Sequence, residues 1–446
     1  MKIFDPLPDG VTPLGRLRRV CMGSAEVCHG GHAGADADAR VLLDVTRLVA
    51  LRWTGRQATG IDRVALAYLR HFRSRARAVV QHRGVLRALT ERESADVFDL
   101  LEAPKHGLRL QLARQFFAAV LTGSASPRIA GMAYLNVGHT DFDLAAHREW
   151  VRVAQVRPFY FLHDLIPIRH PEFSRPHAVR RHSGRVRSAL EIAAGIVLGS
   201  ETARHELEAF ASAQALPLPP LAVAHLAGEE LRVTTPAVPT VAPCFVCVGT
   251  IEPRKNHRLL FAVWQRLFAR LGVRTPRLVI VGQVGPMTGE LLAPLQGSSG
   301  WQHHVEHRRR CSDSELAGLL QHAQALLVPS LAEGFGLPFV EALQAGTPVI
   351  ATNLAVFHEI GQGAAQLLDP HDEDAWVQAI VAATMAPRRG AGPDDTSDTG
   401  QTLFVPPSWP HHFDVVDQFI ASPAALQPAS ARPSSAITCS ESVHCA

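Results

Sequence analysis

Pro329-Ser330-Leu331-Ala332-Glu333-Gly334-Phe335-Gly336-Leu337-Pro338-Phe339-Val340-Glu341-Ala342 follows an apolar run, Ala325 to Val328, that reads as a buried strand. The chain then turns through two glycines and enters an apolar, helix-like stretch. Glu333 falls in the turn, and Glu341 falls one to two turns inside the helix, with seven residues between them. Glycines at a strand-to-helix turn let backbone N–H groups approach a ligand closely, and the helix N-terminus favours negative charge. Two carboxylates beside an anion site would repel that anion. They make sense there if they accept hydrogen bonds from ligand hydroxyls while N–H groups and cations hold phosphate. That combination suits a nucleotide sugar. The plainer reading is a βα turn with two solvated glutamates.

A second block has the same form. Phe245-Val246-Cys247-Val248-Gly249 is a short β-rich run, followed by Thr250-Ile251-Glu252-Pro253-Arg254-Lys255-Asn256-His257. Apolar residues then recur at helical spacing through Leu259, Leu260, Val263, Trp264, Leu267 and Phe268. Arg254 and Lys255 therefore sit at a helix entrance after a glycine, where backbone and side chains can hold a diphosphate together. Taken alone, an Arg-Lys pair more often forms a solvated surface.

The first stretch resembles the E-x7-E segment of family 4 glycosyltransferases, the retaining GT-B enzymes known as glycosyl transferases group 1. The resemblance continues through Ala345–Asn353, His358-Glu359-Ile360-Gly361 and Leu368-Asp369-Pro370. The second block is similar to the family's G-x-x-E-P-R-K-N segment, whose Lys binds the donor diphosphate. Many members carry Arg directly after the Gly, whereas this chain has Thr250. The resemblance implies an α/β fold of GT-B type, with two facing Rossmann-like doubly wound domains and a cleft between them. It implies Lys255 and Arg254 on the leaving diphosphate, Glu333 on the transferred sugar and Glu341 on the ribose. Gly249, Thr250, Gly334, Phe335, Gly336 and Leu337 complete the donor site.

The N-terminal half adds two sites. Phe159-Tyr160-Phe161-Leu162-His163-Asp164 is an apolar strand ending in polar residues, where parallel sheets bind ligands. It resembles the family's H-D strand end, which puts His163 beside the donor sugar and Asp164 nearby. Thr59-Gly60-Ile61-Asp62-Arg63 is a glycine turn entering a helix. It resembles the T-G-I-x-R loop of a subset linked to bacterial surface polysaccharide, so Gly60 would face donor phosphates and acceptor. A simple N-cap by Thr59 or Asp62 explains the same residues.

The chain has 446 residues, 47% hydrophobic and 19% charged, enough for two domains. A net charge of +3 is too small to argue for nucleic acid. No run approaches the ~20 apolar residues of a membrane span, and no signal-peptide core is visible, so the expected location is cytoplasmic. Seven cysteines form no metal-like cluster, and Cys244 and Cys247 should point to opposite faces of one strand. No D-x-D motif sits in a matching place, so the expected cofactor is none and no obligatory metal.

Strand-like and helix-like segments alternate from Val41 to Phe210 and again from 244 to 382, which indicates largely parallel sheets. β-like runs are Val41–Val45, Ala78–Val80, Tyr134–Val137, Phe159–Leu162 and Gly195–Leu198, and helical patterns include Leu108–Leu121, His177–Ile192 and Glu201–Phe210. The expected organisation is a poorly ordered extension (1–38), an acceptor-side domain (39–235) and a nucleotide-sugar domain (236–386). A loop or disordered segment (387–402), a helix (403–420) and a disordered tail (421–446) complete it. The prolines of 211–243 set the boundary near 235.

Arg175, Arg180, Arg181, Arg185 and Arg187 crowd one segment. They form a solvated basic face or a contact with a lipid-diphosphate acceptor or an anionic inner membrane. The expected function is a retaining hexosyltransferase that moves a sugar from a nucleotide-sugar donor, GDP-mannose first, to a growing bacterial surface polysaccharide. Such an acceptor can be lipid-linked. Exopolysaccharide and lipopolysaccharide biosynthesis is the setting. The alternatives are another GT-B activity, such as an epimerase or phosphorylase, and a non-catalytic sugar-nucleotide-binding assembly protein. A pyridoxal phosphorylase is disfavoured because Lys2, Lys105 and Lys255 are the only lysines.

Overall fold

The computed structural model describes residues 40–102, 129–229, 243–285, 287–288, 291–297, 299–386 and 404–422. The expected extension 1–38, the helical pattern Leu108–Leu121, the boundary near 235, the segment 387–402 and all but the first two residues of the 421–446 tail lie outside them.

Two sheets organise these residues. In the first, β1 (Val41–Asp44), β2 (Ala76–His82), β3 (Val85–Ala88), β4 (Ala133–Asn136), β5 (Arg157–Leu162), β6 (Gly195–Leu198) and β7 (Leu221–Val223) take the order β3-β2-β1-β4-β5-β6-β7. All pairs are parallel except the β2–β3 hairpin. In the second, β8 (Cys244–Val248), β9 (Arg277–Val281), β10 (Val305–Arg308), β11 (Ala325–Val328), β12 (Val349–Thr352) and β13 (Gln366–Leu368) take the order β10-β9-β8-β11-β12-β13, parallel throughout. Renumbered from its own start, the second sheet reads 3-2-1-4-5-6, the doubly wound dinucleotide-binding order. Strand order reverses between β1 and β4 and between β8 and β11. The carboxyl ends of those strands are where ligands bind in such sheets.

Central strands are buried on both faces, so they read as short apolar runs and are easily found in the sequence. VLLD of β1, GIVL of β6 and ALLV of β11 are buried at every position. Cys244 and Cys247 belong to separate apolar clusters on the two faces of β8, as alternation requires. The helix Trp409–Ala421 returns to the first sheet, packing on β6 and β7. His71 stacks on Phe413 at 4.0 Å, and Arg75 Nη2 donates to Asp417 at 2.6 Å, so this helix is part of the N-terminal unit's packing.

Among the described residues, no helix is long and apolar enough to cross a membrane.

Candidate active site

The turn after β8 and the turn after β11 are stitched together. Leu331 N–H donates to the Arg254 carbonyl at 2.7 Å, and Arg254 Nη1 donates to the Ala332 carbonyl at 3.0 Å. The side chains complete the join. Glu333 accepts from Arg254 Nη1 at 2.9 Å through one oxygen and from Lys255 Nζ through the other. Arg254 Nε also reaches Glu252 at 2.6 Å. Pro253–Lys255 form a 3₁₀ turn, and Asn256, in left-handed backbone, starts the helix His257–Leu271. Arg254 and Lys255 thus lie at the helix entrance, in a tight turn that aims both cations at Glu333 after β11.

Glu333 is buried, which alone would raise its pKa. The two adjacent cations reverse this and hold it down at about 2. It is therefore a carboxylate at every working pH. An ammonium carries three donors. Only one is needed for Glu333, so Lys255 can meet a phosphate oxygen without releasing its partner.

Gly334 and Gly336 explain why the next residues must be small. A Cβ on Gly334 would lie 2.4 Å from the His163 carbonyl oxygen and 2.7 Å from Asp164 Cβ. Gly336 has φ +96° and would drive a Cβ to within 2.7 Å of Phe357. The backbone thus passes directly under the carboxyl end of β5 in the other sheet. Ser200 Oγ donates to the Gly334 carbonyl at 3.1 Å from the same side. Phe335 itself is buried in the core, so only its backbone is available to a ligand. The helix Leu337–Gln344 begins here, and a Cβ on Gly60 would touch Leu337 Cδ1 at 3.4 Å. Two helix N-termini, at Gly60 and at Leu337, therefore meet across the cleft. A Cβ on Gly249 would lie 3.3 Å from Lys255 Cε, and one on Gly285 would lie 2.8 Å from Thr250 Cγ2.

His163 sits at the end of β5. Its Nε2 donates to the Val137 carbonyl at 2.8 Å, and burial pushes its pKa down to about 4. The ring is neutral near pH 7, and the carbonyl fixes the Nε2–H tautomer, leaving Nδ1 as an acceptor. His139 and His182 lie 5.0 Å from His163 and 5.6 Å from His139, ring to ring, and burial lowers both of their pKa values. This histidine group was not visible as a pattern, because its members lie on three separate segments.

The T-G-I-x-R loop carries the capping that its sequence allows. Asp62 accepts from the Thr59 N–H and hydroxyl, both at 2.7 Å. It also binds Arg47 at 2.7 Å and Arg56 at 2.7 Å, which hold its pKa near 2 against burial. Arg63, the next residue, points the other way. It reaches Glu341 at 2.8 Å and Asp313 at 2.9 Å in the second sheet's unit. Burial raises the pKa of Glu341, opposed by Arg63.

A further clamp was absent from the sequence reading. Glu359, on the helix Ala355–Gly361, caps the helix Glu201–Ala213 of the first unit. It accepts from Glu201 N–H at 2.7 Å, Thr202 N–H at 3.0 Å, Thr202 Oγ1 at 2.8 Å and His225 Nε2 at 2.8 Å. These bonds pull its pKa down to about 2. The H-E-I-G match marked the segment but carried no sign of a partner 158 residues away.

The arginine-rich helix, Pro176–Ile192, divides. Arg181 bonds Asp141 at 2.8 Å and Asp143 at 3.2 Å, and Arg185 meets Asp143 at 3.4 Å. These two are committed to internal acids. Arg175, Arg180 and Arg187 stay exposed.

Residues 242–384 match the family model described as Glycosyl transferases group 1. A serotype-specific mannosyltransferase of Escherichia coli is 30% identical over 237 residues, 49% of this chain and 29% of that protein. An O-antigen chain mannosyltransferase of Salmonella typhimurium is 45% identical over 69 residues, 16% of this chain and 20% of that protein. The matches thus span less than a third of the length of these relatives. A trehalose-6-phosphate synthase superposes with a TM-score of 0.53 at 13% identity, covering 87% of this chain and 97% of that one. Sucrose-phosphate synthase from Thermosynechococcus elongatus gives 0.52 at 17% identity, covering 77% and 89%. The fold is GT-B, as the resemblance implied.

Proposed function

We propose, with residues 242–384 taken as a glycosyl transferases group 1 segment, that this chain is a retaining hexosyltransferase using a nucleotide-sugar donor. The observation that carries the reading is the junction of Lys255, Arg254 and Glu333 at the β8/β11 switch point, with Glu341 one helical turn further on. A leaving nucleoside diphosphate gathers negative charge on its oxygens. Lys255, Arg254 and the N–H groups at Leu337 are fixed donors aimed at that position, and they need no rearrangement when charge develops. Glu333 takes the transferred sugar's hydroxyls and Glu341 the ribose hydroxyls. His163, neutral and with Nδ1 as acceptor, takes a sugar hydroxyl rather than donating charge. Gly60 and Arg63 close the site from the other domain.

The donor we favour is GDP-mannose, since mannosyltransferases recur among the relatives. The acceptor we favour is a growing bacterial surface polysaccharide, which can be lipid-linked, handled at the cytoplasmic face of the inner membrane. With two cations and two helix termini at the diphosphate, we propose chemistry without an obligatory metal. Calorimetric titration with GDP, UDP and dTDP, followed by donor-consumption assays with their sugar conjugates, tests the reading. Micromolar binding of one nucleotide with turnover of its conjugate supports it. Binding with no turnover of any conjugate points instead to a sugar-nucleotide-binding assembly protein.

A further inference from the structure

Arg63 belongs to the first domain, yet both arms of its guanidinium end on the second. Nη1 donates to Glu341 Oε1 at 2.8 Å and Nη2 to Asp313 Oδ1 at 2.9 Å. Glu341 is almost fully buried, whereas Asp313, at the start of the helix Asp313–His322, is open to solvent. Glu229 N–H also approaches Glu341 Oε1, at 3.5 Å. Gly228 packs so closely over the Glu341 stem that a Cβ there would come within 2.9 Å of Glu341 Cγ. Among the described residues, both donors meet Oε1 and none meets Oε2.

We propose that Arg63 is a positioning residue for the donor. From the opposite domain it orients Glu341 through Oε1, leaving Oε2 for the ribose hydroxyls, so the ribose site is complete only with the domains together. The proposal rests on the donor reading above. Arg63 takes one carboxylate oxygen of Glu341 and is itself anchored on Asp313. The groups facing Glu341 are Arg63, Glu229 and Asp313. Burial and the two acids favour the protonated form, and Arg63, with the Glu229 N–H, opposes them. A protonated Glu341 would lose acceptor capacity at the position the ribose needs.

The test is calorimetric titration of the full chain with GDP, UDP and dTDP across a pH series. Wild type, R63Q, R63K, E341Q and the R63Q/E341Q double variant are compared, each checked for folding by thermal melting. The expected result is binding of one nucleotide by wild type, weakened roughly tenfold in R63Q, as for loss of a charge-assisted contact. R63K restores part of the affinity. In R63Q the acid-side loss of binding moves to higher pH. In the E341Q background, R63Q adds no further loss, since Arg63 acts through Glu341. Unchanged or tighter binding in R63Q overturns the proposal, the latter because Arg63 would then compete with the ribose. Fully additive losses also overturn it, by making Arg63 a direct nucleotide contact. Failure of wild type to bind any of the three sinks the donor reading itself, and the proposal with it.

Discussion

Arg254 Nη1 and Glu333 Oε2 lie 2.9 Å apart, joining the turn after β8 to the turn after β11 at the point where strand order reverses. Lys255 closes the same carboxylate from its other oxygen. With Glu252 also paired to Arg254 Nε, two cations balance two carboxylates at this helix entrance. The spare N–H donors of Lys255 are what a further anion would meet there, while Glu333 stays ionised. That arrangement resolves the apparent conflict of a carboxylate beside a phosphate position.

On the proposed reading, Lys255→Ala removes one of the fixed donors at the leaving diphosphate. Turnover should fall at least ~100-fold, the scale for loss of one strong transition-state donor. Steady-state assays on a variant shown to fold by thermal melting check this. Turnover within a few-fold of wild type would reassign Lys255 to a structural ion pair with Glu333.

Glu341→Ala should weaken binding of the free nucleoside diphosphate as well as of the intact donor, because the ribose is common to both. In wild type the pKa of Glu341 is raised by burial, so the ion is lost at a higher pH than for an exposed glutamate. Affinity should therefore fall on the acid side as pH drops through that value. Titrations at stepped pH measure it; flat affinity through the acid range would contradict the ribose assignment.

Glu359→Gln removes the charge that caps the Glu201 helix from the other domain. At neutral pH it should cost about 1–2 kcal/mol, limited by the solvent that still reaches the carboxylate. The folded pKa of about 2 lies below the ordinary 4.5. A depressed carboxylate contributes stability above its unfolded pKa and loses it as pH falls through the folded value. The melting-temperature gap between wild type and variant should accordingly narrow between pH 4.5 and 2. A gap that holds constant through that window would show that the charge is not the stabilising element.

On the proposed reading donor turnover should survive excess chelator, since Arg254, Lys255 and two helix N-termini would supply the donors that a divalent ion replaces elsewhere. Assays with and without chelator, then with added magnesium or manganese, test this. Complete loss restored by metal would replace the site reading with a metal-dependent one.

A membrane contact of this helix would fall to Arg175, Arg180 and Arg187, because Arg181 and Arg185 are held by Asp141 and Asp143. An exposed basic residue at an anionic surface contributes ~1 kcal/mol. Sedimentation with phosphatidylglycerol vesicles should show weaker partitioning of an Arg175/Arg180/Arg187 triple alanine variant. Equal partitioning would make the segment a solvated face.

The turns that carry Lys255 and Glu333 were legible in the sequence because their parts are local. Lys255 and Glu333 each follow a short apolar strand and precede a helix, so their positions relative to the sheet follow from the pattern alone. Pairings between the domains were not legible. Arg63 and Glu341 are 278 residues apart, and nothing in the local pattern of either points to the other. The edge strand Val305–Arg308, with sequence VEHR, was passed over for a related reason. All four of its residues are half-buried, and an edge strand covered on fewer sides needs no apolar run. The hairpin strand Val85–Ala88 likewise alternates too briefly to register. The Arg181 and Arg185 side chains were read as one basic face with their neighbours because Asp141 and Asp143 lie about 40 residues upstream, outside any helical window.

The most direct test of the account is release of nucleoside diphosphate from GDP-mannose, UDP-glucose and dTDP-rhamnose, measured side by side for wild type, Lys255→Ala and Glu333→Gln. The account predicts that wild type consumes one of the three donors, and that both variants, folded, lose at least ~100-fold of that rate. Consumption of one donor at equal rates by all three proteins would contradict it.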